Sequence, residues 1–191
     1  MKTFSLGLPR ALRAFGSKAE GSVTIEFVIV LPLLVWGVLA MIVFWDGFKT
    51  ANANQRSAYL IADLISREVD EIDAAYLEGV NQVARTLNDR DRSTQLRVTA
   101  VDRTLDPSLN PIHEIAWSWG SQTLAAHTDI AAIEDRLPIM AVGDQLIYVE
   151  TVRDWAPRFA VAQLDPIRFE YVAVTIPRFA PKVVFDDGSS L

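Results

Sequence analysis

The sequence predicts an α+β protein in which a single N-terminal transmembrane helix continues into an amphipathic helix packed on an antiparallel sheet. Three observations lead there. Phe27 to Trp45 are nineteen residues without a charge, which at about 1.5 Å rise per residue span roughly 28 Å, close to a bilayer's hydrocarbon thickness. From Ala58 the apolar residues recur at helical spacing. Beyond Asn88 the pattern becomes short alternating runs bounded by Pro, Gly, Asn and Asp, as in strands and turns.

Residues 1–20, MKTFSLGLPRALRAFGSKAE, mix glycine, proline and basic residues with too few apolar side chains to pack, and read as a cytoplasmic leader. The span follows, with Pro32 inside it. A proline removes a backbone donor, which a membrane helix tolerates when neighbouring groups compensate, so a bend or loosening is expected near Pro32. Lys2, Arg10, Arg13 and Lys18 precede the span against one acid, Glu20, whereas Asp46 and Lys49 after it cancel. The positive-inside rule therefore puts the N-terminus in the cytoplasm and exports the bulk of the chain. Ala51 and Ala53 form an A-x-A pattern that would suit secretory cleavage before Asn54. The apolar run is longer than the about 7–15 residues of a signal peptide, and Asp46 and Lys49 intervene.

After the span, Ala58, Ile61, Ala62, Ile65, Val69 and Ile72 share helical spacing, with Asp63, Arg67 and Asp70 among the other positions. A second helix is expected over Ala74 to Asn88, with a stripe of Leu77, Val80, Ala84 and Leu87. NDRDRS, residues 88–93, is a solvated turn. Strands are expected at Leu96 to Asp102, where the alternation fails at its last step, and at Ile112 to Trp119. In the latter, His113, Ile115, Trp117 and Trp119 share a face opposite Ile112, Glu114, Ala116 and Ser118. The two tryptophans read as core. Asp129 is placed to cap a short helix, Ile130 to Leu137, stopped by Pro138. Two further strands, Gln145 to Val152 and Phe169 to Ile176, flank a connection containing Trp155, Pro157 and Phe159. The tail, FDDGSSL, reads as frayed.

Gly21 precedes Ser22, and with Ser22 counted as first, Glu26 stands fifth, followed by Phe27 and an apolar helix and preceded by a short basic leader. In GSVTIEFVIVLPLL the chain resembles the N-terminus of TadE-like (TadE or TadF) minor pseudopilins of tight-adherence (Flp) pilus systems. LIYVETVRDWAPRF is similar to a late valine-rich strand and Pro-aromatic stretch of those domains. The resemblance implies cleavage between Gly21 and Ser22 by a prepilin peptidase, and a role for Glu26 and Phe27 in recognition and assembly, with Glu26 attracting the new amine of a neighbouring subunit. It also implies a pilin-like fold and a bacterial inner-membrane protein with a periplasmic C-terminal domain, incorporation into the pilus being a further implication. The expected partners are a related pseudopilin and other Tad proteins, including the major Flp pilin. The domains so expected are a leader over 1–21, a transmembrane helix over 22–48, an exported domain over 49–185 and a flexible tail over 186–191. The alternative is an unprocessed single-span protein with a periplasmic partner-binding domain.

The composition excludes several classes. The net charge of −6 becomes −9 once residues 1–21, with four basic residues and one acid, are removed, which argues against nucleic acid as a partner of the domain. No cysteine is present, so no disulfide and no cysteine-based metal or nucleophile site can form. His113 and His127 fall in no H-x-x-x-H or H-E-x-x-H spacing, and there is no G-x-S-x-G elbow or phosphate-cradling glycine loop. The expectation is a structural assembly protein: no enzyme, no metal and no cofactor.

Overall fold

The computed structural model describes residues 20–121, 124–159 and 164–188, with side chains from Thr24 onward. The expected leader lies outside the described residues as far as residue 19, as do the last three residues of the expected tail. The described chain divides into two compact units, one holding the first helix as far as Trp45, the other beginning at Asp46 and holding every strand.

Helix α1 runs from Glu20 to Ile65 with Pro32 inside it. Among the described residues it is the one helix long and apolar enough to cross a membrane, over Thr24–Ile65. Ile25, Phe27, Leu33, Trp36, Met41 and Trp45 are all exposed, which is unfavourable in water and is the disposition that lipid favours.

The second unit is α+β. After α1 come β1 (Ile72–Asp73), α2 (Ala74–Leu87), β2 (Gln95–Leu105) and β3 (Pro111–Gly120). Two 3-10 turns (Ile130–Ala132, Glu134–Arg136) lead into β4 (Gln145–Trp155), β5 (Ile167–Thr175) and β6 (Phe185–Asp186). The four long strands form an antiparallel sheet in the order β3-β2-β4-β5, and β1 pairs with β6 in parallel.

On one face of the sheet lies the main core. Ala58, Ile61, Ala62 and Ile65 of α1, with Leu77, Val80 and Ala84 of α2, share one buried cluster with Leu96, Val98, Ile147, Val149 and Ala173 of the sheet. The other side of this stretch of α1 exposes Tyr59, Leu60 and Leu64. The helix stops at Ile65, short of the spacing that reached Ile72, and Val69 is exposed. Glu68, Asp70 and Glu71 follow directly, and acids oppose the negative end of the helix dipole. The last turn tightens instead, with Arg67 N donating to Leu64 O at 3.2 Å and Glu68 N to Ile65 O at 3.2 Å. Asp73 then caps α2, accepting from Tyr76 N at 2.7 Å.

Polar groups tie α1 to the sheet within this unit. The buried Asn54 amide donates to Thr151 O at 3.2 Å and Phe169 O at 3.1 Å. Trp155 Nε1 donates to Asp46 Oδ2 at 2.9 Å. Arg153, buried at the end of β4, donates to Asp91 Oδ2 at 3.0 Å and to Asn88 Oδ1 at 3.3 Å.

Three expectations need correction. The register shifts between Ala100 and Val101 against Trp117 and Ile115, a β-bulge. The extra residue is Ala116 of β3, so Ile115 falls opposite Val101 on the second face while Trp117 and Trp119 pack on the main core, and the four residues do not share one face. The single helix expected over Ile130 to Leu137 is two 3-10 turns, although Asp129 does cap the first, accepting from Ala131 N at 3.0 Å. The FDDGSSL segment begins in a strand pair: Phe185 and Asp186 lie opposite Ile72 and Asp73, and Phe185 stacks on Trp117 with ring centroids 5.4 Å apart.

Candidate functional site

The residues singled out in the sequence are strung along the start of α1 and converge on nothing among the described residues. Gly21 and Ser22 lie in its first turn, and their side chains are outside the described residues. Glu26 and Phe27 are exposed. Exposure on a helix is what a docking or processing element requires, and it supplies no enclosed chemistry.

The polar centre of the second unit lies on the face of the sheet away from the helices, and of its residues the sequence drew attention to His127 alone, as a histidine without metal-ligand spacing. Glu150 stands on β4 directly opposite Arg97 of β2. The Arg97 Nε donates to Glu150 Oε2, its Nη1 donates to Ala125 O at 3.0 Å, and His127 Nε2 lies 2.8 Å from the same Glu150 oxygen. Burial pushes the Glu150 carboxyl toward neutrality, but the bonds and charge of Arg97, aided by His127, outweigh it and hold it below the usual carboxylate range. The carboxylate thus stays ionised in a site where only 8% of the residue is exposed.

This centre fastens the long β3–β4 connection over a second, smaller core of Val101, Ile133, Leu146 and Tyr148. At its start, Ser121 N donates to Leu96 O and Leu96 N to Ser121 Oγ, each at 2.8 Å. Midway, His113 Nδ1 of β3 lies 3.7 Å from Glu134 Oε1. At its end, Gly143 N donates to Arg103 O at 2.8 Å.

Ser118, His127 and Glu150 have the composition of a catalytic triad without its geometry. The Ser118 hydroxyl accepts from the main-chain N of His127 at 2.9 Å and shares a hydrogen bond with Thr99 at 2.8 Å. A triad needs the serine on the imidazole ring. No group of three His, Cys, Asp or Glu residues able to hold a metal occurs among the described residues. Beside the centre opens a cleft of about 380 Å³, lined by Arg97, Leu124, Arg136, Glu150, Val152 and Glu170 among others.

Comparison with protein-family models, with curated proteins and with solved structures found nothing that matches this chain.

Proposed function

We propose that this chain is a TadE-like minor pseudopilin that takes part in assembling a Flp (tight-adherence) pilus. It is inserted in the inner membrane with its N-terminus in the cytoplasm and its domain in the periplasm, and cut by a prepilin peptidase after Gly21. One observation carries the reading: the spacing from Gly21 and Ser22 to the Glu26-Phe27 pair, at the head of an apolar helix. Glycine before the scissile bond lets the backbone leave helical geometry and approach a protease closely. Glu26 stands at the start of the apolar run, where a carboxylate costs less than the about 2.5–3.5 kcal/mol of a helix centre, and a specific use offsets what remains. Pairing Glu26 with a neighbouring subunit's Ser22 amine supplies such a use.

The fold supports the same reading at a coarser level. A long apolar helix whose last turns enter the core of an antiparallel α+β domain is what a pilin-like plan would require. The exposed Tyr59, Leu60 and Leu64 suit contact with a related pseudopilin through that helix.

The test is the N-terminal sequence and intact mass of protein extracted from membranes, with and without a coexpressed prepilin peptidase. A start at Ser22 that depends on the peptidase supports the proposal. A start at Met1 in both cases replaces it with an unprocessed, anchored partner-binding protein, and a soluble form starting at Asn54 removes the anchor altogether.

A further inference from the structure

The last turns of the uncharged run on α1 differ from the rest of it. Val43 is only 2% exposed, and Leu39 and Ala40, one turn back on the same side, are half-buried, while Ile42, Phe44 and Trp45 are exposed. Protein therefore covers one side of these turns and leaves the others open. The β4–β5 connection starts close by. Trp155, at the end of β4, donates to Asp46, the first residue after the run, and a Cβ added at Gly47 would lie 3.4 Å from the same indole. The chain then passes through Ala156 and Pro157, after which Arg158–Leu164 belong to the compact unit of the helix and not to that of the strands. In sequence this segment, RFAVAQL, carries one charge, Arg158. Arg158 and Phe159 are exposed.

We propose that the β4–β5 connection is a second membrane contact, at which Phe159 enters the bilayer surface where the run ends and Arg158 meets lipid phosphates. Continuity with the span argues for lipid as the occupant. Four residues of chain from Trp155 reach at most about 14 Å, so Phe159 is tethered to Asp46, where the apolar run gives way to charge, and it shares the compact unit of the lipid-facing helix. The headgroup layer is roughly 5–8 Å deep on each side of the hydrocarbon. An aromatic ring beside a guanidinium suits that layer, which is apolar below and carries phosphate above. Depth is limited by the main chain. Backbone that is neither helix nor closed barrel leaves polar groups unsatisfied in hydrocarbon, so the connection stays among the headgroups and only the ring goes below. A single span leaves a domain free to turn about the helix axis, and a second contact fixes which side of the domain faces the membrane. The inference rests on α1 crossing a membrane, and it is independent of the pilus reading and of the start site.

The experiment is quenching of a single fluorescent label by brominated lipid, with the full chain reconstituted in vesicles of phosphatidylcholine and phosphatidylglycerol. The chain has no cysteine, so Trp36→Cys at the centre of the run, Phe159→Cys and Ser108→Cys each take one label. Ser108 follows Leu105 in the β2–β3 turn, whereas Val152 of β4 pairs with Gln95 at the other end of β2, about 34 Å away at the rise of an antiparallel strand. The expected result is loss of fluorescence at 36 and 159 and none at 108, with residue 159 quenched more by bromine near the headgroups than by bromine near the chain ends. Arg158→Glu should remove most of the quenching at 159, and unchanged quenching in that variant overturns the phosphate contact. A label quenched at 36 but not at 159 overturns the proposal and leaves the span standing. A label unquenched at 36 removes the span itself, and the inference with it. Quenching at 159 that vanishes as the protein-to-lipid ratio rises, while Phe159→Cys forms disulfide dimers, overturns it in favour of a contact between copies.

Discussion

Glu150 is an acid in an otherwise apolar run of β4, and the fold keeps it charged by bringing Arg97 and His127 to it. Replacing Glu150 by Gln leaves the Arg97 guanidinium, only 18% exposed, without a counter-charge. Breaking a buried pair from one side is strongly destabilising, and with some solvent access the expected loss is about 2–4 kcal/mol in urea unfolding followed by tryptophan near-UV dichroism. The pH dependence has a definite sign. Glu150 and Asp91 are both held below their ordinary values, against the burial that raises each. Arg97 and His127 do so for Glu150, and Ser93 and Arg153 for Asp91. The stability they contribute is therefore complete above the unfolded carboxylate range, about pH 4–5, and is lost as pH falls through the lowered folded values. An acid titration of wild type should show that loss. In Glu150→Gln the curve should be shallower, and a curve as steep as wild type would remove Glu150 from this role.

The β3–β4 connection and α2 show how elements are held by single local devices. At Gly120, where β3 hands over to the connection, an added Cβ would lie 2.0 Å from Leu124 O and 2.8 Å from Ala125 C. Both are backbone atoms that cannot swing aside, so Gly120→Ala should cost about 2 kcal/mol or more and loosen the cover over the second core. Asp73→Ala removes the N-cap of α2 and should cost about 1 kcal/mol. Thermal unfolding of both variants checks the order, with Gly120→Ala the more damaging. Much at this scale was legible in the sequence, because helices and strands write their period into it. Leu77, Val80 and Ala84 are buried as the stripe required, whereas Leu87 at its end is exposed; Ala100 and Val101 are both buried at successive positions of a strand whose pairing with β4 runs without a break. The bulge at Ala116 of β3 was not legible, because the alternation through His113, Ile115, Trp117 and Trp119 runs on in the sequence while the register against β2 skips a residue between Trp117 and Ile115. Arg97 takes an ordinary polar position in an alternating strand and Glu150 breaks the run of β4, but only the register of β2 against β4 makes them a pair. The β1–β6 pairing, two residues long on each side, is too short to leave a period.

In the whole molecule the apolar helix and the acid near its start answer to different demands, and one substitution separates them. On the reading proposed above, insertion is driven by the nineteen uncharged residues from Phe27 to Trp45, whose transfer into lipid does not depend on Glu26. Glu26→Gln removes a charge that opposes insertion, so extraction of the variant by alkaline carbonate should match or fall below that of wild type. Assembly, on the reading proposed above, depends on the carboxylate meeting the Ser22 amine of a neighbour, and an amide of the same shape offers an acceptor without the charge. The variant should thus reach the membrane in normal amount, yet copurify with its pilus partners at a small fraction of the wild-type level. Glu26→Asp keeps the charge and should recover part of it. Full copurification and normal piliation of Glu26→Gln would show that the acid serves only the end of the helix, where it complements the dipole of the first turns.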